Sequence, residues 1–254
     1  ARRMWAEIMA DRFGAEDPAS KQLKFHAQTG GSTLTAQQVE NNIVRVAYQA
    51  LAAILGGAQS LHTNGKDEAL SLPTEQSVRT ALRTQQILAH ESGVADTVDP
   101  LGGSYYVESL TDDLEDEAFD LLDEIDRRGG MLDAVESGWV QRQIQDVAFE
   151  RQQEIESGDR VVVGVNEFQV DEEPHVDVEE VDEDDEARQV ERLGAVKDDR
   201  DDDAVEAALS AVGTAAAGDD NVMPPIVDAV KAYATVGEIS DVLREEFGEY
   251  RPRL

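Results

Sequence analysis

The sequence predicts an α/β fold in which parallel βαβ units give way to a mainly helical region. Three observations predict it. Short apolar segments alternate with amphipathic helical patterns between residues 24 and 98. The connections between them are short and carry Gly or polar turn residues. Beyond residue 104 the strand pattern stops and helical periodicity takes over.

The chain opens on Ala1, without Met, already inside helical spacing: Met4, Trp5, Ile8, Met9 and Phe13. No capping residue precedes this helix, so the expectation is a protein whose true N-terminus lies further upstream. Residues 24–28 read as a short strand closed by Gly30 and Gly31. Thr35, with Gln38 three residues on, has the form of a capping box and predicts a helix start. Val39, Ile43, Val46, Ala50, Leu51 and Ile54 form the apolar stripe of that helix, and Gly56-Gly57 ends it. Residues 59–63 predict a second strand, followed by the polar turn 64–68. A third helix is expected over 74–91, stopping near Gly93, and a third strand over 94–98, before Pro100. Three strands neither close a barrel nor make a doubly wound sheet, so further strands are expected before Ala1.

Helices are expected over 111–127, 131–137 and 139–157, then a single apolar run at 161–165. Residues 170–187 are Asp/Glu-rich, contain Pro174 and predict a solvated acidic linker, with the acidic loop as a whole near 167–187. Helices over about 186–195, 201–213 and 223–247 finish the chain.

Charge narrows the function classes. The chain has 55 Asp and Glu against 22 Lys and Arg, a formal net charge of −33 over 254 residues. Phosphate backbones need a basic face, so no nucleic acid is expected as a partner, and no anionic membrane surface. Only Lys21, Lys24, Lys66, Lys197 and Lys231 are lysines; the other basic residues are Arg. Acid excess with scarce Lys is the balance of cytoplasmic proteins in salt-loving microbes, where high salt damps self-repulsion, and it points to a halophilic archaeal source. Acids crowd 108–126 and 150–159 as well as 166–203, so a single acidic tail does not account for the charge. Cys is absent, which excludes thiol catalysis, thiolate metal sites and disulfides. No apolar run reaches the roughly 18–20 residues of a membrane span, and the opening has no signal-peptide pattern; a soluble cytoplasmic protein is expected.

Parallel α/β folds carry their sites at the C-terminal ends of strands. Two segments fit: 26–35, with His26, Gln28 and Gly30-Gly31, and 59–68, with His62, Asn64, Asp67 and Glu68. In the first, the glycines let the backbone approach a flat ligand and Gln28 offers an amide to its polar edge. A turn followed by an N-cap at Thr35 is the competing reading, and it leaves Gln28 and His26 unexplained. In the second, His62 and Asn64 share a parity, and an amide with a carboxylate suits a vicinal diol such as a ribose. A buried His and a solvated Asp-Glu pair at a helix start is the alternative there. His26, His62, His90 and His175 have no metal-ligand spacing, and His90 and His175 read as surface residues. No P-loop and no G-x-S-x-G turn is present.

Five stretches carry a resemblance: H-A-Q-T-G-G-S-T-L-T-A-Q-Q-V-E-N-N-I-V-R (26–45), Q-S-L-H-T-N-G-K-D-E-A-L-S-L-P-T (59–74), E-S-G-V-A-D-T-V-D-P-L-G-G-S-Y-Y-V-E (91–108), V-V-G-V-N (162–166) and T-V-G-E-I-S-D-V-L (235–243). Together they resemble the large, catalytic chain of the methylmalonyl-CoA mutase family, in the form that works with a separate small cobalamin-binding subunit. The resemblance implies the C-terminal part of a TIM (β/α)8 barrel, its last three β/α units at 1–98, followed by a mainly helical linker region at 99–254. It implies adenosylcobalamin as cofactor and an acyl-CoA substrate, rearranged through homolysis of the cobalt–carbon bond, hydrogen abstraction and migration of the thioester group. Gln28 and Gly31 match positions facing the corrin ring, and Ser71 a further corrin contact. Asn64 and Glu68 match positions at the adenosyl group, with Glu68 suited to the ribose hydroxyls. Lys24 stands where relatives use Arg against the coenzyme A phosphates; its charge is kept and the bidentate fork is not.

The Tyr and His that contact the thioester in this family fall before Ala1, and the cobalamin-binding signature D-x-H-x-x-G is absent. The resemblance therefore implies that an N-terminal barrel part and the small subunit complete the site, in a heterodimer or heterotetramer. Interconversion of (R)-methylmalonyl-CoA and succinyl-CoA is the expected reaction. Another cobalamin-dependent acyl-CoA mutase, such as isobutyryl-CoA mutase, and a non-catalytic assembly fragment are the alternatives.

Overall fold

The computed structural model describes residues 1–171 and 183–251, which divide near residue 180 into two compact units. The expected boundary at 98/99 falls inside the first unit. The division itself falls in the acidic stretch, whose residues 172–182, with His175, lie outside the described residues.

In the first unit, α1 (Arg2–Glu7) runs into a π-helical turn at Ile8–Arg12. Strand β1 (His26–Gln28) pairs in parallel with β2 (Ser60–His62), His26 opposite Ser60 and Gln28 opposite His62. Helix α2 (Asn41–Leu55) connects them, as a parallel pair requires. Helix α3 (Glu75–Glu91) follows, its first turn capped by Thr74, whose hydroxyl accepts from the Ser77 amide at 3.3 Å. Val46 and Ala50 of α2 and Ala81 of α3 are buried where the two helices pack, with Leu34 and Val39 from the preceding loop. Helices α4 (Tyr105–Arg127), α5 (Met131–Glu136) and α6 (Trp139–Ser157) complete this unit.

Two expectations are corrected here. Helix α2 starts at Asn41, not at Thr35. The Asn42 side chain takes both the N–H and the C=O of Thr35, and Gln38 adopts a left-handed φ of 48°, so 35–40 is held as a loop. Residues 94–98 form no strand: Val94–Asp96 is a single 3-10 turn after Gly93, at φ 70°. The Val94 amide donates to Ser92 Oγ at 3.2 Å and the Asp96 amide to the Gly93 carbonyl at 3.1 Å, which removes donors a ladder would need. The described residues of the first unit thus hold a two-stranded parallel sheet within a mostly helical body.

The second unit holds α7 (Glu183–Asp199), α8 (Asp202–Ala216), α9 (Met223–Lys231) and α10 (Val236–Phe247). Residues 183–187, expected in the acidic loop, are therefore helical, and the helix expected over 223–247 is two helices. Tyr233 at φ 64° ends the first, and a capping box between Thr235 and Glu238 starts the second. Val212, Ala229 and Ile239 are the buried centre, one from each of α8, α9 and α10. Arg200 clamps the start of α10: its Nη1 and Nη2 donate to the two Glu238 carboxylate oxygens, both at 2.8 Å, and its Nε to Asp202 at 2.9 Å. That bidentate pair, helped by the Thr235 amide, holds the Glu238 carboxyl well below the usual carboxylate range.

Candidate functional site

Parallel pairing sets the C-terminal ends of β1 and β2 side by side, so the loops after Gln28 and His62 leave the same edge. They are knitted together there. The Gln28 Nε2 donates to Asn64 Oδ1 at 3.1 Å, the Asn64 amide N–H to Thr29 Oγ1 at 2.9 Å, and Asn64 Nδ2 to the Thr29 carbonyl at 3.1 Å. Gly31 lies against the same side chains: a Cβ there would meet Asn64 Nδ2 at 2.9 Å and Glu68 Oε1 at 3.0 Å. The structure thus brings Gln28, Gly31, Asn64 and Glu68 into one cluster. Gln28 and Glu68 are exposed, whereas Asn64 is buried at 3% exposure.

Ser71 is on the second loop, half-buried, and its hydroxyl donates to the Leu72 carbonyl at 2.9 Å. Lys24 is exposed and four residues before Gln28, about 13 Å away along an extended chain. His26 is at the start of β1, where its Nδ1 is 2.5 Å from Ser60 Oγ. His62 is exposed while Asn64 is buried; their shared parity does not carry over because the strand stops at His62.

Sequence reasoning missed the groups that hold these loops. Of the Asp67-Glu68 pair, which the alternative reading held solvated, only Glu68 faces solvent and Asp67 has no exposure. Its Oδ1 accepts from Ser77 Oγ at 2.7 Å and its Oδ2 from the Thr74 amide at 3.0 Å. Ser77 Oγ in turn accepts from the Lys66 amide at 3.0 Å, so the loop 65–74 closes on the start of α3. A Cβ on Gly65 would lie 2.5 Å from Asp67 Oδ1, which is why this turn needs Gly.

Asn42, also without exposure, joins the two loops. Its Nδ2 donates to the Thr35 and Lys66 carbonyls, both at 2.8 Å, and its Oδ1 accepts from the Thr35 amide and from Arg45 Nη1. The one signal in the sequence was an Asn inside the apolar stripe of α2, next to Ile43 and Val46. Among the described residues no group of three His, Asp or Glu side chains could hold a metal ion.

Comparison with known proteins adds the following. The sequence profile of the family described as methylmalonyl-CoA mutase matches residues 1–249. The large subunit of 2-hydroxyisobutanoyl-CoA mutase from Aquincola tertiaricarbonis is 48% identical over 252 residues, covering 98% of this chain and 45% of that protein. Methylmalonyl-CoA mutase from Escherichia coli (strain K12) is 46% identical over 254 residues, covering 98% of this chain and 35% of that one. The mitochondrial methylmalonyl-CoA mutase of Homo sapiens is 45% identical over 252 residues, covering 98% and 34%. The chain therefore spans less than half the length of these curated relatives.

Proposed function

The chain belongs to the methylmalonyl-CoA mutase family, and on that premise we propose that it forms the cofactor-facing rim of an adenosylcobalamin-dependent mutase interconverting (R)-methylmalonyl-CoA and succinyl-CoA. The observation that carries this reading is the meeting of Gln28, Gly31, Asn64 and Glu68 at the adjoining ends of two parallel strands.

The donor set suits the cofactor. Glu68 offers an exposed carboxylate, an acceptor-only group that matches the two hydroxyl donors of a ribose. Gln28 offers an exposed amide to the polar rim of a corrin, and Gly31, lacking a side chain, lets Asn64 and Glu68 close against the first loop. Asn64 spends its Oδ1 on Gln28 and keeps one amide hydrogen for the adenosyl group. Ser71 would add a corrin contact from the second loop, and Lys24 a single positive charge for the coenzyme A phosphates. When bound, adenosylcobalamin supplies the homolytic chemistry that a carbon-skeleton rearrangement needs. This chain's residues would bind and orient it.

The remaining parts of the reading are an N-terminal barrel segment that supplies the groups touching the thioester and a separate small subunit that supplies the cobalamin-binding motif, in a cytoplasmic heterodimer or heterotetramer. One observation supports the second: the relative that is 48% identical is named a large subunit. The same relative favours a second reading, an acyl-CoA mutase acting on a different branched ester. Assay of the complete protein with its small subunit, adenosylcobalamin and a panel of methylmalonyl-, isobutyryl- and 2-hydroxyisobutyryl-CoA separates the two. Turnover of methylmalonyl-CoA supports the first reading, and turnover confined to another ester replaces it with the second.

A further inference from the structure

We propose that Arg45 is a positioning residue, through which the turn at 162–168 sets the geometry of both loops that carry the candidate cofactor contacts. The inference rests on the function proposed above. Arg45 stands on α2, outside the cluster, and its guanidinium reaches three ways. Nη1 donates to Asn42 Oδ1 at 2.8 Å and to Thr35 Oγ1 at 2.9 Å, and Nη2 donates to the Val163 carbonyl at 2.7 Å. Asn42 passes the constraint on, since its Nδ2 holds Thr35 in the first loop and Lys66 in the second. Lys66 is two residues before Glu68, and Thr35 four after Gly31.

The turn that Arg45 grips is itself built to be rigid. Asn166 Oδ1 accepts from the Val162 amide at 2.7 Å, and its Nδ2 donates to the carbonyls of Ile155 and Arg160, both at 2.8 Å, which fastens the turn to the end of α6. The Gly164 amide donates to the Glu167 carbonyl at 2.7 Å. A second clasp lies beside Arg45: Gln38 Nε2 donates to the Phe168 carbonyl at 2.8 Å. Gly164 has a left-handed φ of 83°, and a Cβ on it would press on the Gln38 amide at 3.1 Å. Residues 118 and 130 positions apart in sequence are thus tied across the base of the site. A planar fork with five donors can serve Asn42, Thr35 and Val163 together, whereas a lysine ammonium at that place reaches one side only.

The test uses the complete mutase with its small subunit. Arg45→Ala, Arg45→Lys and Gly164→Ala are compared with Glu68→Ala, reading the apparent KM for adenosylcobalamin and for the acyl-CoA separately, and the Kd for adenosylcobalamin by equilibrium titration, which should move with the cofactor KM. Losing a group that orients ligand contacts costs on the order of tenfold in ligand affinity. The expected result is a rise of about tenfold in the cofactor KM for all three positioning variants, with the acyl-CoA KM within about twofold of wild type. If Arg45→Ala does not fold, Arg45→Lys and Gly164→Ala carry the comparison. A cofactor KM unchanged in those two while Glu68→Ala raises it overturns the role of Arg45 and leaves the proposed function standing. A cofactor KM unchanged in Glu68→Ala as well overturns both.

Discussion

The side-chain amide of Gln28 donates to Asn64 Oδ1 at 3.1 Å, across 36 positions of sequence and from the end of one strand to the loop after its neighbour. The bond fixes one face of the Gln28 amide and leaves its carbonyl oxygen and one hydrogen for a ligand. Asn64 is in turn held by Thr29 through two further bonds, so the pair cannot turn independently. A polar surface prepared in this way binds without first having to be ordered, which is the cost that preorganisation removes.

Gly31→Ala should break that arrangement. The added methyl falls 2.9 Å from Asn64 Nδ2, closer than real Cβ atoms come, and 3.0 Å from Glu68 Oε1, tighter than most of them come. Both groups must shift. The fold should lose about 1–3 kcal/mol and the cofactor affinity about tenfold or more, checked by chemical unfolding and by equilibrium titration of adenosylcobalamin.

Asp67→Ala should act on stability. It strips the acceptor from Ser77 Oγ and from the Thr74 amide in a site closed to water, at a cost of about 3 kcal/mol. The midpoint of urea unfolding reads it directly. Glu68→Ala on the neighbouring exposed residue should leave that midpoint within about 0.5 kcal/mol.

In the second unit, pH should act through Glu238. Its folded carboxyl titrates below the ordinary glutamate value of about 4.5, first because of Arg200 and then because of the Thr235 amide. A depressed carboxylate stabilises above its unfolded value and loses that contribution as pH falls through its folded one. Protection of α10 amides from hydrogen exchange should therefore decline as the medium is taken below pH ~4.5. Glu238→Gln should cost about 1 kcal/mol at neutral pH, by weakening the cap, and should flatten the decline.

The charge of −33 makes a prediction for the whole chain. Raising salt from 0.1 to 1 M shortens screening from about 10 to about 3 Å, which removes repulsion among exposed acids. The unfolding temperature should rise in potassium chloride, by about 2–4 °C for each kcal/mol of repulsion removed. A midpoint indifferent to salt would contradict the reading of the acid as a salt-adapted surface.

Much of the first unit was legible in the sequence for local reasons. The alternation of strand and helix placed β1, β2, α3 and the end of α2 within about two residues, because each has its own apolar period and its own stop signal. The start of α2 was not legible. Thr35 and Gln38 have the spacing of a capping box, and what prevents the helix is a side chain seven residues on, Asn42, which takes both Thr35 backbone groups. The missing third strand has the same kind of cause, since Ser92 and Gly93 bind amides that a ladder would need. At the candidate site, Gln28, Gly31, Asn64 and Glu68 were singled out from their place at strand ends and from the family resemblance, and the fold brings the four together. The burial of Asp67 was not legible, because its partners, Thr74 and Ser77, follow an aperiodic turn that no pattern links to it. Arg45 and Asn42 were not singled out, because their partners at 163 and 66 belong to contacts only the fold creates.

Equilibrium binding of adenosylcobalamin to the complete mutase, wild type against Glu68→Ala, tests most directly that this chain forms the cofactor-facing rim. A weakening of about tenfold or more, with acyl-CoA affinity unchanged, is the predicted result, since the carboxylate proposed to accept from the ribose hydroxyls is removed. Equal cofactor affinity in the two proteins would contradict the account.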